Sequence, residues 1–229
     1  YMDNLVSNAE DPEIENQSIR ASLEWDITDN VSAYAKVDYA EQGTTGSNTQ
    51  FTDTGGLFRG LVPHAAVITP LEDGVFDDKT TLDGFNDEFS DTESLNVIVQ
   101  VDWDFESGVT LTSITGYSEY DVKSLMDGDT SDLRLFEALS DEEFEQVNQE
   151  FRLASPGGET LDYIVGVYLE SQDLKSINSV DISLLPLASF GVPPAQITVN
   201  PPFEQESDTQ AIFGEMTWNF TDDWSFTGG

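Results

Sequence analysis

The chain has no cysteine, a single histidine and only 8 basic side chains among 229 residues. Without cysteine there are no disulfides, no thiolate nucleophile and no sulfur-ligated metal. One histidine, His64, excludes a histidine-rich metal centre, and it leaves the many serines without an activating base nearby. Set against 45 acidic residues, the 8 basic ones leave a formal net charge of −37. A surface so acidic repels phosphates and excludes nucleic acid as a partner. Long apolar runs are also missing: no stretch approaches the roughly 18 consecutive apolar residues of a transmembrane helix. Membrane strands remain possible, because they need only about 9–11 residues of alternating character. Gly55-Gly56 and Gly157-Gly158 precede no helical pattern that could hold a phosphate. No catalytic constellation is left and no cofactor is implied, so the chain reads as a non-enzyme.

What the sequence does contain is alternation. Ile19, Ala21, Leu23, Trp25 and Ile27 share one face of an extended segment, with Ser18, Arg20, Ser22, Glu24 and Asp26 on the other. After Thr28-Asp29-Asn30 the pattern resumes, with Val31, Ala33, Ala35, Val37 and Tyr39 apolar and Lys36 and Asp38 opposite. Such alternation marks strands with one apolar and one polar face. The arrangement recurs around Glu106-Ser107-Gly108, Ser155-Pro156-Gly157-Gly158 and Thr221-Asp222-Asp223, turns whose Gly and Asp supply tight-hairpin chemistry. Between the hairpins lie acidic stretches without periodicity, 40–93, 121–143 and 170–208, which read as long loops. Short turns on one side and long loops on the other are the asymmetry of outer-membrane barrels. Trp25, Trp103, Trp218, Phe220 and Trp224 gather beside the short turns, as an interfacial girdle does; Tyr39, Tyr117 and Tyr120 are expected to form the opposite girdle.

Several strand segments resemble those of TonB-dependent receptors. They are Leu111-Thr112-Ser113-Ile114-Thr115-Gly116-Tyr117, the run from Phe144 to Pro156, Leu161 to Tyr168, and Phe213 to Gly229. The resemblance implies an all-β, antiparallel up-and-down meander in which residues 1–229 supply about eight strands of an outer-membrane barrel of about 22. The N-terminal plug and the C-terminal strands are expected to lie outside this chain. There is no signal-peptide pattern after Tyr1, and both ends read as cut. The implied function is uptake of a ferric siderophore, a cobalamin or an oligosaccharide by a monomeric barrel, energised by the TonB complex through the plug.

Site residues follow in the same terms. Arg20, Glu24, Lys36, Glu150 and Arg152 lie on the polar face and would meet the lumen and plug. Loop aromatics, Phe58, Phe76, Phe85 and Phe190 with His64, are candidates for ligand contact; Phe51, Phe89 and Phe203 belong to the same set, and all could equally pack the loops on themselves. Asp127, Asp129 and Asp132 alternate as calcium ligands do, but without the glycine and terminal glutamate of a helix-loop-helix site. Two rival readings are a passive porin and a soluble acidic β-sandwich. The sandwich requires the apolar face to be buried by a second sheet.

Overall fold

The structure is a computed structural model that describes residues 2–4, 10–46, 79–80, 88–128, 135–221 and 223–229. Its strands are β1 (Met2–Asn4), β2 (Glu10–Asp11), β3 (Glu13–Thr28), β4 (Val31–Thr45), β5 (Lys79–Thr80), β6 (Phe89–Asp104), β7 (Thr110–Asp127), β8 (Phe136–Ala154), β9 (Leu161–Ser183), β10 (Gln196–Val199), β11 (Pro202–Thr221) and β12 (Trp224–Gly228). One short 3-10 helix, Leu185–Phe190, follows β9. The main sheet has the order β12-β11-β9-β8-β7-β6-β4-β3, every neighbour antiparallel, which is the expected meander. β10 also pairs with β9, above the start of β11. Pro201 and Pro202 stand at the break between β10 and β11, where the missing proline N–H groups interrupt the ladder. β1, β2 and β5 form a separate small sheet.

The short turns lie where the alternation puts them. Gly108 closes the β6–β7 turn at φ 81, with its N–H donating to the Phe105 carbonyl at 2.8 Å. Gly157 and Gly158 carry the β8–β9 turn at φ 79 and 78. Adjacent turns are tied sideways. Asp104 N–H donates to the Asn30 carbonyl at 2.9 Å, and Asn219 N–H to the Thr160 carbonyl at 2.9 Å.

The other ends differ from expectation. β4 runs on to Thr45, β7 to Asp127 and β9 to Ser183, while β6, β8 and β11 begin at Phe89, Phe136 and Pro202. Much of the sequence read as loop is therefore paired strand, and Phe89 and Phe203 are strand residues. In these extensions both faces carry polar side chains. The backbone ladder continues, but the apolar/polar contrast that betrays a strand is gone. The β7–β8 connection shrinks to residues 128–135. Asp127 ends β7, and its backbone N–H donates to Glu88 Oε1 at 2.8 Å. Asp129 and Asp132 lie outside the described residues, and among the described residues no cluster of three or more metal-binding side chains occurs.

Exposure distinguishes the two faces. Along β9, Val165, Val167 and Leu169 are 45%, 38% and 46% exposed, whereas Gly166 between them is buried and Ser176 is 6% exposed. The sheet therefore curls with the Gly166 side concave. The apolar residues stand on the convex side in continuous rungs. One rung is Trp25, Ala33, Val101, Ser113, Phe151, Val167 and Ile212; another is Leu23, Ala35 and Val99. Among the described residues no second sheet covers them. Among the described residues the buried hydrophobics are Leu135 and Leu187, which pack together between two loops, far from these rungs. This removes the sandwich reading, which needs that face enclosed.

The turns yield a stability test. Gly108→Ala meets two penalties: a left-handed φ and a Cβ 2.9 Å from the Pro156 Cβ. Gly157→Ala meets the backbone penalty alone, since nothing lies within 4 Å. Gly157→Ala should cost about 1–2 kcal/mol by denaturant unfolding of the refolded barrel. Gly108→Ala should cost measurably more; equal losses would show that the Pro156 contact carries no weight.

Candidate functional site

The concave face is built by positions alternate to the apolar rungs, and it changes character with height above the short turns. Nearest the turns it is polar and ionic. Thr112 Oγ1 donates to Asp102 at 2.6 Å, Thr110 Oγ1 to Asp104 at 2.6 Å, and Gln100 Nε2 to Asp102 at 2.7 Å. Arg152 pairs with Glu150. Further toward β3, Asp38 holds two cations: Arg20 on the neighbouring strand and Lys36 at 2.7 Å on its own. Such exposed pairs contribute little to stability, but they fix the direction of the local field.

Beside this ionic cluster the wall sinks into a depression of about 350 Å³, bordered by Lys36, Asp38, Asn96, Ile98, Gly116 and Asn148. Gly116 makes the room: a Cβ there would stand 2.7 Å from the Asn148 amide. A similar pairing of large with small occurs at Gly166, where a Cβ would meet the Phe213 ring at 2.3 Å. Each glycine lets a cross-strand neighbour lie over it.

Higher still, between β6 and β11, two successive concave rungs carry no formal charge; the first continues onto β4 and β3 as Asp38 and Arg20. One rung reads Asn96, Ser118, Gln146, Gln172 and Ser207. Ser118 Oγ donates to Asn96 Oδ1 at 2.6 Å, and Gln146 Nε2 donates to Glu170 at 2.9 Å on the rung below. The next rung reads Ser94, Tyr120, Phe144, Leu174 and Gln205. The Tyr120 and Phe144 rings stack at 5.0 Å with a 19° interplanar angle. Tyr120 Oη donates to Glu142 at 2.8 Å. That hydrogen bond first, then burial, pushes the phenol above its ordinary pKa, so the hydroxyl stays protonated and donates.

The convex face reverses at the same height. Glu119, Glu145, Asp173 and Glu206 form one rung there, and Glu41, Glu93, Asp121, Glu143, Lys175 and Glu204 form the next. Nine carboxylates and one ammonium thus cover the outside of a wall whose two inner rungs are uncharged from β6 to β11.

The residues expected on the polar face share the concave side: Arg20, Glu24, Lys36, Glu150 and Arg152. The structure brings Arg20 and Lys36 together at Asp38 and leaves Arg152 with Glu150, three strands away. Phe58, His64, Phe76, Phe85 and Phe51 lie outside the described residues; Phe190 closes the 3-10 helix. Tyr120 needs correction. It was expected in the outer girdle with Tyr117, but it stands three residues on in an unbroken strand and so faces the opposite way. Tyr120, Phe144 and the amide rung were missed as a group. Their signal was available in the parity of β7 and β8, once both are known to continue past Tyr117 and Val147.

No family model matches the sequence, and no curated protein does at a significant level. Solved structures do match in fold. The ferric yersiniabactin uptake receptor FyuA from Yersinia pestis superposes with a TM-score of 0.64 at 14% identity, over 96% of this chain and 30% of that one. The RagAB peptide importer superposes with a TM-score of 0.51 at 15% identity, over 95% of this chain and 28% of that one. Both are uptake proteins rather than enzymes. The chain spans less than a third of either, and at this identity the likeness is one of fold: a curved antiparallel wall.

Proposed function

We propose that this chain is part of the barrel wall of an outer-membrane receptor that actively imports a scarce nutrient, with energy from the TonB complex delivered through a plug. The observation that carries the reading is the open apolar convex face: Leu23 is 63% exposed and Ile212 87% exposed, in rungs that cross the whole sheet. An apolar patch of this extent needs a partner, and a face about one bilayer tall bounded by tryptophans fits lipid. Two further features support it. The concave face is polar and ionic, as a lumen must be. β3 and β12 leave outer edges that further strands of a closed barrel would pair.

Within this reading Arg20, Lys36, Glu150 and Arg152 hold a plug in register through charge, and the depression at Gly116 receives one of its side chains. The extended strand tips and their loops face the cell exterior and meet the substrate. The substrate classes are a ferric siderophore, a cobalamin or an oligosaccharide.

Paired substitutions test the orientation. In the complete receptor refolded into lipid vesicles, Val99→Arg, on the convex side, should cost about 2–4 kcal/mol. Gln100→Arg, the next residue but on the concave side, should cost far less. Equal costs, read from urea unfolding, would remove the lipid-facing assignment. The plug contact has its own test. Asp38→Lys puts three cations together and should loosen the plug, raising uptake of a large antibiotic such as vancomycin in intact cells. Unchanged permeability with normal receptor levels would place the plug elsewhere.

A further inference from the structure

The two uncharged rungs of the concave face stand back to back with the two acidic rungs of the convex face. On β7 the order is Ser118 in, Glu119 out, Tyr120 in, Asp121 out; on β8 it is Gln146 in, Glu145 out, Phe144 in, Glu143 out. β9 follows with Gln172 in, Asp173 out, Leu174 in, and β11 with Ser207 in, Glu206 out, Gln205 in. The segregation spans four strands. In a chain of net charge −37, leaving ten adjacent concave positions without a carboxylate concentrates the acidity on one side.

Three ligand classes can be weighed against this surface. An anionic chelate meets no cation in either rung between β6 and β11; where the first rung continues onto β4 and β3 as Asp38 and Arg20, the cations Arg20 and Lys36 are held by Asp38. Across a single sheet, within about a Debye length of roughly 8 Å, the chelate also faces Glu119, Asp121, Glu143 and Glu145, so its approach is opposed. A cationic ligand would be drawn toward the sheet, but the carboxylates that border these rungs on the concave face, Glu142 and Glu170, are already engaged by Tyr120 and Gln146. A neutral ligand pays neither penalty. The groups present are amides and hydroxyls, each able both to donate and to accept, flanked by the stacked Tyr120–Phe144 rings and by Leu174. Sugar hydroxyls need partners of both kinds, and the C–H face of a pyranose needs a flat apolar platform. The Tyr120 hydroxyl donates its proton to Glu142, so its oxygen offers an acceptor at the edge of that platform.

We infer that the Tyr120–Phe144 platform and the Asn96–Ser118–Gln146–Gln172 rung bind a neutral oligosaccharide, making this a carbohydrate-importing wall. The inference rests on the proposed receptor function and narrows its substrate.

The test uses the complete receptor in detergent micelles, titrated calorimetrically with maltohexaose, cellohexaose and xylohexaose, and with an anionic ferric tris-catecholate. At least one hexasaccharide should bind, and the ferric complex should not. Phe144→Ala and Tyr120→Ala should each weaken the sugar roughly tenfold or more. Tyr120→Phe, which keeps the ring, should lose less than Tyr120→Ala, and Glu119→Gln on the convex face should leave the affinity unchanged. Surface labelling and heat-modifiable gel mobility report assembly of each variant. A receptor that assembles in the outer membrane but binds none of the three sugars overturns the sugar assignment alone. So does sugar binding that survives Phe144→Ala, or ferric tris-catecholate binding that Phe144→Ala abolishes. A wild-type chain absent from the outer membrane overturns the receptor function as well.

Discussion

The cross-strand register is the constraint on which everything else here depends. Seven antiparallel seams join β3 to β12 through the main sheet, and the register shifts fall between Asp26 and Thr28 and between Asn219 and Thr221, both beside short turns. Because side chains alternate with a period of two, one slip anywhere between would turn a strand's apolar residues inward and its charges outward. No such slip occurs from Arg20 to Gln205, so each rung keeps to one face of the sheet across strands that are far apart in sequence. The lateral bonds between turns, Asp104 to Asn30 and Asn219 to Thr160, anchor that register at the end where it is set.

Along the convex face the chemistry changes within one step of the pleat. Tyr39 is followed outward by Glu41, Tyr117 by Glu119, and Val147 by Glu145. Tyr39 and Tyr117 each donate their hydroxyl to the glutamate two residues on. A phenol whose ring joins the apolar side and whose oxygen joins the carboxylates is suited to such a boundary. The boundary steps by one rung between β6 and β7, since Tyr39 shares its rung with Leu95 and Glu119. It divides each strand into a stretch whose outside excludes water and a stretch whose outside attracts it. β9, at 23 residues, is about twice the length a bilayer crossing requires.

That division explains what the sequence revealed. Below the boundary, Ile19 to Ile27 and Val31 to Tyr39 alternate so strictly that strand, face and turn can all be read from them. Above it, Phe136-Glu137-Ala138-Leu139-Ser140-Asp141-Glu142-Glu143 is equally regular strand, yet no face is consistently apolar. Water on both sides removes the selection that creates the pattern, and only backbone pairing to β7 and β9 holds the segment extended. The ion pairs of Arg20 and Lys36 with Asp38 were legible as a shared face, but not as a cluster. That required the opposition of Arg20 and Asp38 across β3 and β4. Tyr120 was misplaced for a different reason. Its distance from Tyr117 was read as nearness, when an odd number of residues along a strand means opposite sides.

Separating the two faces also separates the physical demands made on one stretch of chain. Glu143 and Glu145 can answer to what lies on the convex side, while Phe144 between them answers to what lies on the concave side. A pleated strand permits this because neighbouring side chains point apart and share no partners. The concave rungs can therefore change from amide to aromatic to charge without disturbing the convex ones. The ladder beneath them depends on backbone groups alone and is indifferent to both. A wall made this way keeps its shape while its inner chemistry varies, which is consistent with a fold that this chain shares at 14% and 15% identity with a ferric yersiniabactin uptake receptor and a peptide importer.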